Sequence, residues 1–204
     1  MISNIIEKYK GHSAYINGWQ EMKRASIVIL LTEMDGKLNV IFEVRSKHMR
    51  SQPGDVSFPG GKIDLNEEPK EAAIREVCEE LGLLENDFEI ICPLNILATH
   101  YSLLIHPFLG YIKDYKKIDI NKDEVDHIFL VPLDYLLTTK PRLEENSIIV
   151  NRSKTFPFDL INGGESYKFK EGTYKSFFYM YENYVIWGIT ALMLKDFLRD
   201  FKKN

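Results

Sequence analysis

Three glutamates, Glu76, Glu79 and Glu80, stand three and four residues apart in a stretch whose other residues suit a helix. At about 100° per residue they share one arc, and Ile74, Val77, Cys78 and Leu81 share the arc opposite, which should face a core. Like charges at these spacings repel by roughly a few tenths of a kcal/mol per pair, so the pattern does not serve the helix. A hard divalent cation would remove the repulsion, because carboxylate oxygens are its preferred ligands. The competing reading is a solvated acidic face. Just upstream, Gly60 and Gly61 would let the backbone approach a metal or a phosphate closely. Arg45 and Arg50, five residues apart and bracketing Lys47, offer permanently charged, bidentate donors suited to phosphate oxygens. Exposed solubility residues are the alternative for that pair. The five histidines, His12, His48, His100, His106 and His127, show no paired zinc spacing.

The elements that must position these groups follow from turn signals and periodicity. A short amphipathic segment near Ser3–Tyr9 precedes a β-like run, Ala25–Thr32, and Asp35-Gly36 turns the chain into Leu38–Arg45. From Arg45 to Asn66, glycines, prolines and charges predict loop or short strand. The acidic helix spans 69–81, with Pro69 suited to its first turn and Gly82 to a left-handed cap. Phe88–Thr99 and Ile105–Ile112 read as strands, Lys113–Glu124 as a polar loop, and Ile128–Val131 as a further strand. Asp134–Leu137 reads as a helical turn, Phe177–Tyr181 as a strand and Val185–Phe201 as a second long helix. Residues 138–172 carry no clear pattern. Strands dominate and two helices punctuate them, which predicts an α+β fold with helices packed on a mixed sheet.

The 204 residues fit a single domain, 1–204, with a short N-terminal helical segment over about residues 1–20. Cys78 and Cys92 alone cannot build a disulfide framework or a four-thiolate zinc site, which points to a reducing compartment. A net charge of −4 gives no long-range attraction for a polyanion, so nucleic acid is not an expected partner. The longest apolar stretch, Ala25–Leu31, is too short to span a bilayer, and the first residues lack a signal-peptide pattern. A cytoplasmic protein with no membrane partner is the expectation.

Read from Gly61, the chain spells G-x5-E-x7-R-E-V-C-E-E-L-G-L, through Glu67, Arg75, Glu76, Glu79, Glu80 and Gly82 to Leu83. This segment, 61–83, resembles the Nudix box of the Nudix hydrolase family at every defined position. The resemblance implies an α/β/α sandwich around a mixed β-sheet, with the box forming a catalytic loop–helix–loop. It also implies a Mg²⁺- or Mn²⁺-dependent pyrophosphohydrolase acting on a small-molecule nucleoside diphosphate derivative. Glu76 and Glu80 are then the first choice for metal ligands, with Glu79 a further ligand or the base that deprotonates water. A backbone carbonyl that often completes the metal shell in the family maps onto Gly60. Glu67 and Arg75 are expected to pair and hold the loop against the helix, which makes them structural, together with Gly61 and Gly82. A downstream acid often contributes to catalysis in the family, and Glu124 is the leading candidate, against an ordinary exposed loop acid.

The run Arg45-Ser46-x3-Arg50-x3-Gly54-x3-Phe58-Pro59-Gly60-Gly61 resembles the motif of the coenzyme A pyrophosphatase branch. That motif begins Leu-Leu-Thr, where this chain has Ile41-Phe42-Glu43, so an acid replaces a neutral hydroxyl. The resemblance assigns Arg45, Ser46 and Arg50 to substrate binding, with the arginines suited to the 3′-phosphate of coenzyme A. The implied reaction splits coenzyme A, or an acyl thioester of it, into 3′,5′-ADP and 4′-phosphopantetheine or its acyl form. The alternative is another Nudix activity, on ADP-ribose, NADH or an oxidised nucleoside triphosphate. The resemblance slightly favours a homodimer.

Overall fold

The computed structural model describes residues 2–202; Met1, Lys203 and Asn204, which the 1–204 domain assignment includes, lie outside the described residues. Helix α1 (Ile2–Tyr9) buries none of its side chains and leads through a 3-10 turn at Trp19–Glu21 to the sheet. The strands run β1 (Lys23–Met34), β2 (Lys37–Arg45), β3 (Val56–Ser57) and β4 (Gly60–Lys62), then helix α2 (Pro69–Leu81). After it come β5 (Phe88–Pro93), β6 (Leu97–Ala98), β7 (Leu103–Ile112), β8 (Val125–Pro132) and helix α3 (Leu133–Thr138). The chain ends with β9 (Arg142–Ile148), β10 (Gly172–Tyr181), β11 (Tyr184–Ile186) and helix α4 (Gly188–Phe201).

One eight-stranded sheet holds β1 to β8 along the order β3-β2-β1-β7-β5, with β4 also on β1, β6 on β7 and β8 on β2. Only the β1–β7 pair is parallel among the described pairings, so the sheet is mixed and the class α+β. Strand β1 is buried on both faces, which is why it reads as a continuous apolar run rather than an alternating one. Val28 and Leu30 pack with Ile41 of β2 against Ala73, Val77 and Leu81 of α2. Ile29 and Leu31 point the other way, into a second core with Val40, Phe42, Phe129, Phe177 and the α4 residues Met193, Leu194 and Phe197. Helices thus cover both faces of the sheet.

Three departures from the sequence reading have local causes. The expected strand Phe88–Thr99 is two, because Pro93 ends β5 and the chain rejoins β7 only at Leu97. The second long helix starts at Gly188 rather than Val185, since Tyr184–Ile186 pairs with Tyr179–Tyr181. Residues 142–148, within the stretch that showed no pattern, pair with β10 to form a separate three-stranded sheet with β11. Six of the seven β9 residues are exposed, so no apolar alternation marked them. The N-terminal helical segment is confined to Ile2–Tyr9 and the 3-10 turn. Among the described residues, no helix is long and apolar enough to cross a membrane.

Candidate metal and diphosphate site

Helix α2 is fixed at both ends. Pro69 occupies its first turn, the Glu71 carboxylate accepts a hydrogen bond from the Glu68 N–H at 3.2 Å, and Ser26 Oγ of β1 donates to the Pro69 carbonyl at 2.8 Å. At the other end Gly82 is left-handed (φ 62°), and a Cβ there would collide with the Asp119 carbonyl. The last helical carbonyls, those of Leu81 and Glu80, accept from the Asp119 N–H (3.0 Å) and the Asn121 N–H (2.9 Å). The polar loop after β7 is therefore stitched onto the helix end. The Glu124 carbonyl accepts from the Ser46 N–H at 2.7 Å, which ties the same loop to the end of β2.

The acidic residues of this region separate into an outer and an inner group. On the outside, Arg75 Nε and Nη2 grip both oxygens of Glu67 (2.9 and 3.1 Å), and Nη2 also donates to the Lys62 carbonyl at 3.0 Å. Its Nη1 reaches Glu76 Oε1 (2.8 Å) and Glu79 Oε2 (3.1 Å). Glu67 in turn accepts from the Asp64 N–H at 2.8 Å, so the box loop is clamped to the helix. The Arg75 guanidinium, with the Asp64 amide, holds the Glu67 carboxyl below the usual range. Gly61 lets the chain pass beside Glu76, since a Cβ there would meet that carboxylate at 2.5 Å.

The single acidic arc drawn from the sequence does not hold for Glu80. Glu79 faces outward with 54% of its side chain exposed, but Glu80 is 3% exposed and lies beside Ala73, Val77 and Leu81 on the buried side. It lies only about 60° round the helix from Val77, close enough to be swept under the sheet edge. Its Oε2 accepts from the Gly60 N–H at 2.7 Å, which offsets part of the cost of burial.

Inside, Glu80 shares its environment with Glu43, Glu76, Glu124 and Arg45. Burial pushes the Glu80 carboxyl far up, the Glu43 charge pushes further, and the Gly60 amide pulls back. Burial raises Glu43 as well, against the opposing pull of the Ser57 hydroxyl and Arg45. Glu76 is raised by burial despite the Arg75 contact, with Glu79 and Glu124 adding to the rise. Glu43 is fully buried; its Oε1 accepts from Ser57 Oγ at 2.8 Å, while its Oε2 is sealed from water without a hydrogen-bond partner. The sequence marked Glu43 only as a departure from a motif, not as part of a site. A charged residue inside an otherwise apolar β-strand was the available signal.

The donor set suits a hard divalent cation. Every one of these inner acids offers carboxylate oxygen, and one oxygen of Glu43 is buried without a hydrogen-bond partner. Among the described residues no three acids already form a closed cage. Glu80 Oε2 is held by the Gly60 amide and Glu76 Oε1 by Arg75.

Arg45 stands at a bulge between β2 and β8, with its backbone paired to Gly54 and Asp55. Its Nε is buried and unpartnered, and it borders a cavity of about 270 Å³ with Phe58, Gly60, Tyr101, Tyr174 and Trp187. A neighbouring cavity of about 510 Å³ shares Asp55, Val56 and Trp187 and extends to Phe178 and Tyr184. Trp187 is 46% exposed at this rim, parallel to Phe178 within 4°. Ser46 is buried, and its Oγ accepts from the His48 N–H at 3.4 Å within the turn. Arg50 is exposed on the same loop and borders neither cavity.

The chain is similar to proteins already known. A family model described as the NUDIX domain matches residues 22–174. "Nudix hydrolase 3" of Caenorhabditis elegans is 30% identical over 177 residues, which cover 85% of this chain and 71% of that protein. "Peroxisomal coenzyme A diphosphatase NUDT7" of Mus musculus is 36% identical over 113 residues, 55% of this chain and 48% of that protein. "Peroxisomal coenzyme A diphosphatase ndx-8" of the same nematode is 36% identical over 118 residues, 55% of this chain and 50% of that protein. The chain thus matches about half the length of these two diphosphatases.

Proposed function

The chain belongs to the Nudix hydrolase family, and from that premise we propose that it cleaves the diphosphate bridge of coenzyme A or its acyl thioesters. The observation that carries this reading is the placement of Arg45. Arg45, whose Nε is buried and unpartnered, lines the cavity shared with Tyr101, Tyr174 and Trp187, and its charge acts on the inner carboxylates. A substrate with one anionic bridge, a further phosphate and a long neutral arm would engage all three. The two coenzyme A diphosphatases among the relatives support the same substrate class.

In this reading Glu76, Glu80 and the Gly60 carbonyl hold Mg²⁺ or Mn²⁺. Such an ion supplies neutralisation of the bridge oxygens and a more acidic water. Water adds across the P–O–P bond and its proton passes to a carboxylate. We assign that role to Glu124, whose charge acts on Glu43 and Glu76, rather than to Glu79, which is engaged by Arg75 on the outer face. Arg45 draws the bridge toward the carboxylates, Ser46 shapes the turn, and Arg50, on the exposed loop, meets the outlying 3′-phosphate. Glu67, Arg75, Gly61 and Gly82 hold the box in shape.

The test is mass spectrometry of coenzyme A incubated with the protein and Mg²⁺ or Mn²⁺. The expected products are 3′,5′-ADP and 4′-phosphopantetheine. Intact coenzyme A alongside cleavage of ADP-ribose, NADH or an oxidised nucleoside triphosphate would transfer the assignment to that substrate.

A further inference from the structure

Strand alternation places Glu43 on a particular side of the sheet. Ile41 belongs to the core under α2, whereas Val40, Phe42 and Val44 belong to the core on the opposite face. Glu43 therefore projects with Ile41 toward α2. There it is the strongest side-chain charge acting on Glu80, and the charges of Glu76 and Glu124 act on it in turn. Ser57, directly opposite in β3, orients the carboxyl through Oε1 and leaves Oε2 directed away from that bond. Proteins seldom bury an acceptor with no donor, and a carboxylate oxygen is among the costliest to strand. A neutral residue would serve packing at this point better. The motif that this segment resembles carries a neutral hydroxyl there, so the acid belongs to this chain rather than to the box.

We propose that Glu43 is a ligand for the divalent cation, supplied from the sheet and facing the α2 ligands Glu76 and Glu80. This rests on the metal-dependent reading above but not on the identity of the substrate. Carboxylates from two elements then close on the ion from opposite sides. Ser57 acts as the positioning residue that fixes the Glu43 rotamer. Retaining the acid costs stability in the cation-free protein and is offset when the cation arrives.

The deciding experiment is Mn²⁺ binding to the substrate-free full chain, followed by calorimetry and by loss of the free-ion electron paramagnetic resonance signal. Glu43→Gln keeps the size of the side chain and an acceptor for Ser57 while removing the charge. It should weaken Mn²⁺ binding by about tenfold or more. Asp123→Asn, an exposed acid on the neighbouring loop, controls for loss of one negative charge and should stay within about twofold. If the glutamine variant fails to fold, Glu43→Thr supplies the same test with the residue type of the related motif. Unchanged affinity in a folded Glu43 variant, or an equal loss in Asp123→Asn, would overturn the ligand role. Glu43-dependent Mn²⁺ binding by a protein that leaves coenzyme A intact would uphold the ligand and discard the substrate. Coenzyme A cleavage with Glu43-independent binding would do the reverse.

Discussion

Two groups of glutamates flank the same turn of α2, and they differ in what balances them. Outside, Glu67 and Glu79 share the Arg75 guanidinium, and the result is a staple between loop and helix. Inside, Glu43 and Glu80 lie under the sheet edge, where burial raises both carboxyls against the opposing charge of Arg45. The residue type is the same in both places. Direct bonds from a guanidinium turn the outer acids into architecture, whereas Arg45 acts on the inner pair through its charge and burial prevails. Glu76 bridges the two, paired with Arg75 yet raised by burial.

The contrast breaks most visibly in activity. Glu80→Gln should lower turnover on the order of 10³-fold while leaving the melting temperature unchanged or higher. The buried acid folds only by keeping a proton, a cost that glutamine does not carry; steady-state kinetics with Mg²⁺ and a thermal melt check both halves, and near-normal turnover would remove Glu80 from the site. The outer group should behave in the opposite way. Arg75→Ala strips the partner from three glutamates and should cost about 2 kcal/mol of stability, read by urea denaturation. An unchanged midpoint would mean that the staple is not needed.

The legibility of these groups in the sequence differed for the same physical reason. The box is a local device, 61–83, and the spacing of Glu67, Arg75 and Gly82 reflects contacts within one loop and one helix. Glu43 reaches Glu80 only because β1 and β2 form a hairpin that pairs at Leu30 and Ile41 and lays β2 beside α2. No spacing in the chain encodes that proximity. The same holds for β9, whose exposed residues are strand only because β10 pairs with them thirty residues later. The motif-bearing half of the fold is thus legible, and the cleft wall built by Tyr174, Phe178 and Trp187 is not.

Acidity sharpens the comparison further. A native carboxyl raised above its unfolded value keeps a proton that the unfolded chain has lost. Stability should therefore fall as pH rises between the ordinary value of 4.5 and about 9, the value for Glu80. The slope is about 1.4 kcal/mol per pH unit for each proton retained. The outer Glu67, held low, is ionised in the native protein and, above the foot of this window, in the unfolded chain as well, so it adds nothing to the decline. Melts from pH 5 upward in chelator should show the decline, and saturating Mg²⁺ should flatten it. A flat profile in chelator would mean that the inner acids ionise as readily in the native protein as in the unfolded chain. The smallest effect is expected at the exposed loop. Arg50→Ala should raise KM for coenzyme A by roughly threefold to fivefold and leave dephospho-coenzyme A unaffected, as suits a solvent-screened contact. Equal loss on both substrates would detach Arg50 from the 3′-phosphate.

The loop stitched onto the end of α2 gives the site a built-in reporter. The amides of Asp119 and Asn121 are engaged by helix carbonyls, and that of Ser46 by Glu124 itself. The loop backbone that carries Glu124 can lift from the helix end and from β2 only when these bonds open. Isotope exchange at those three amides then reads the free energy of that opening, and so how firmly the backbone under the acid is held.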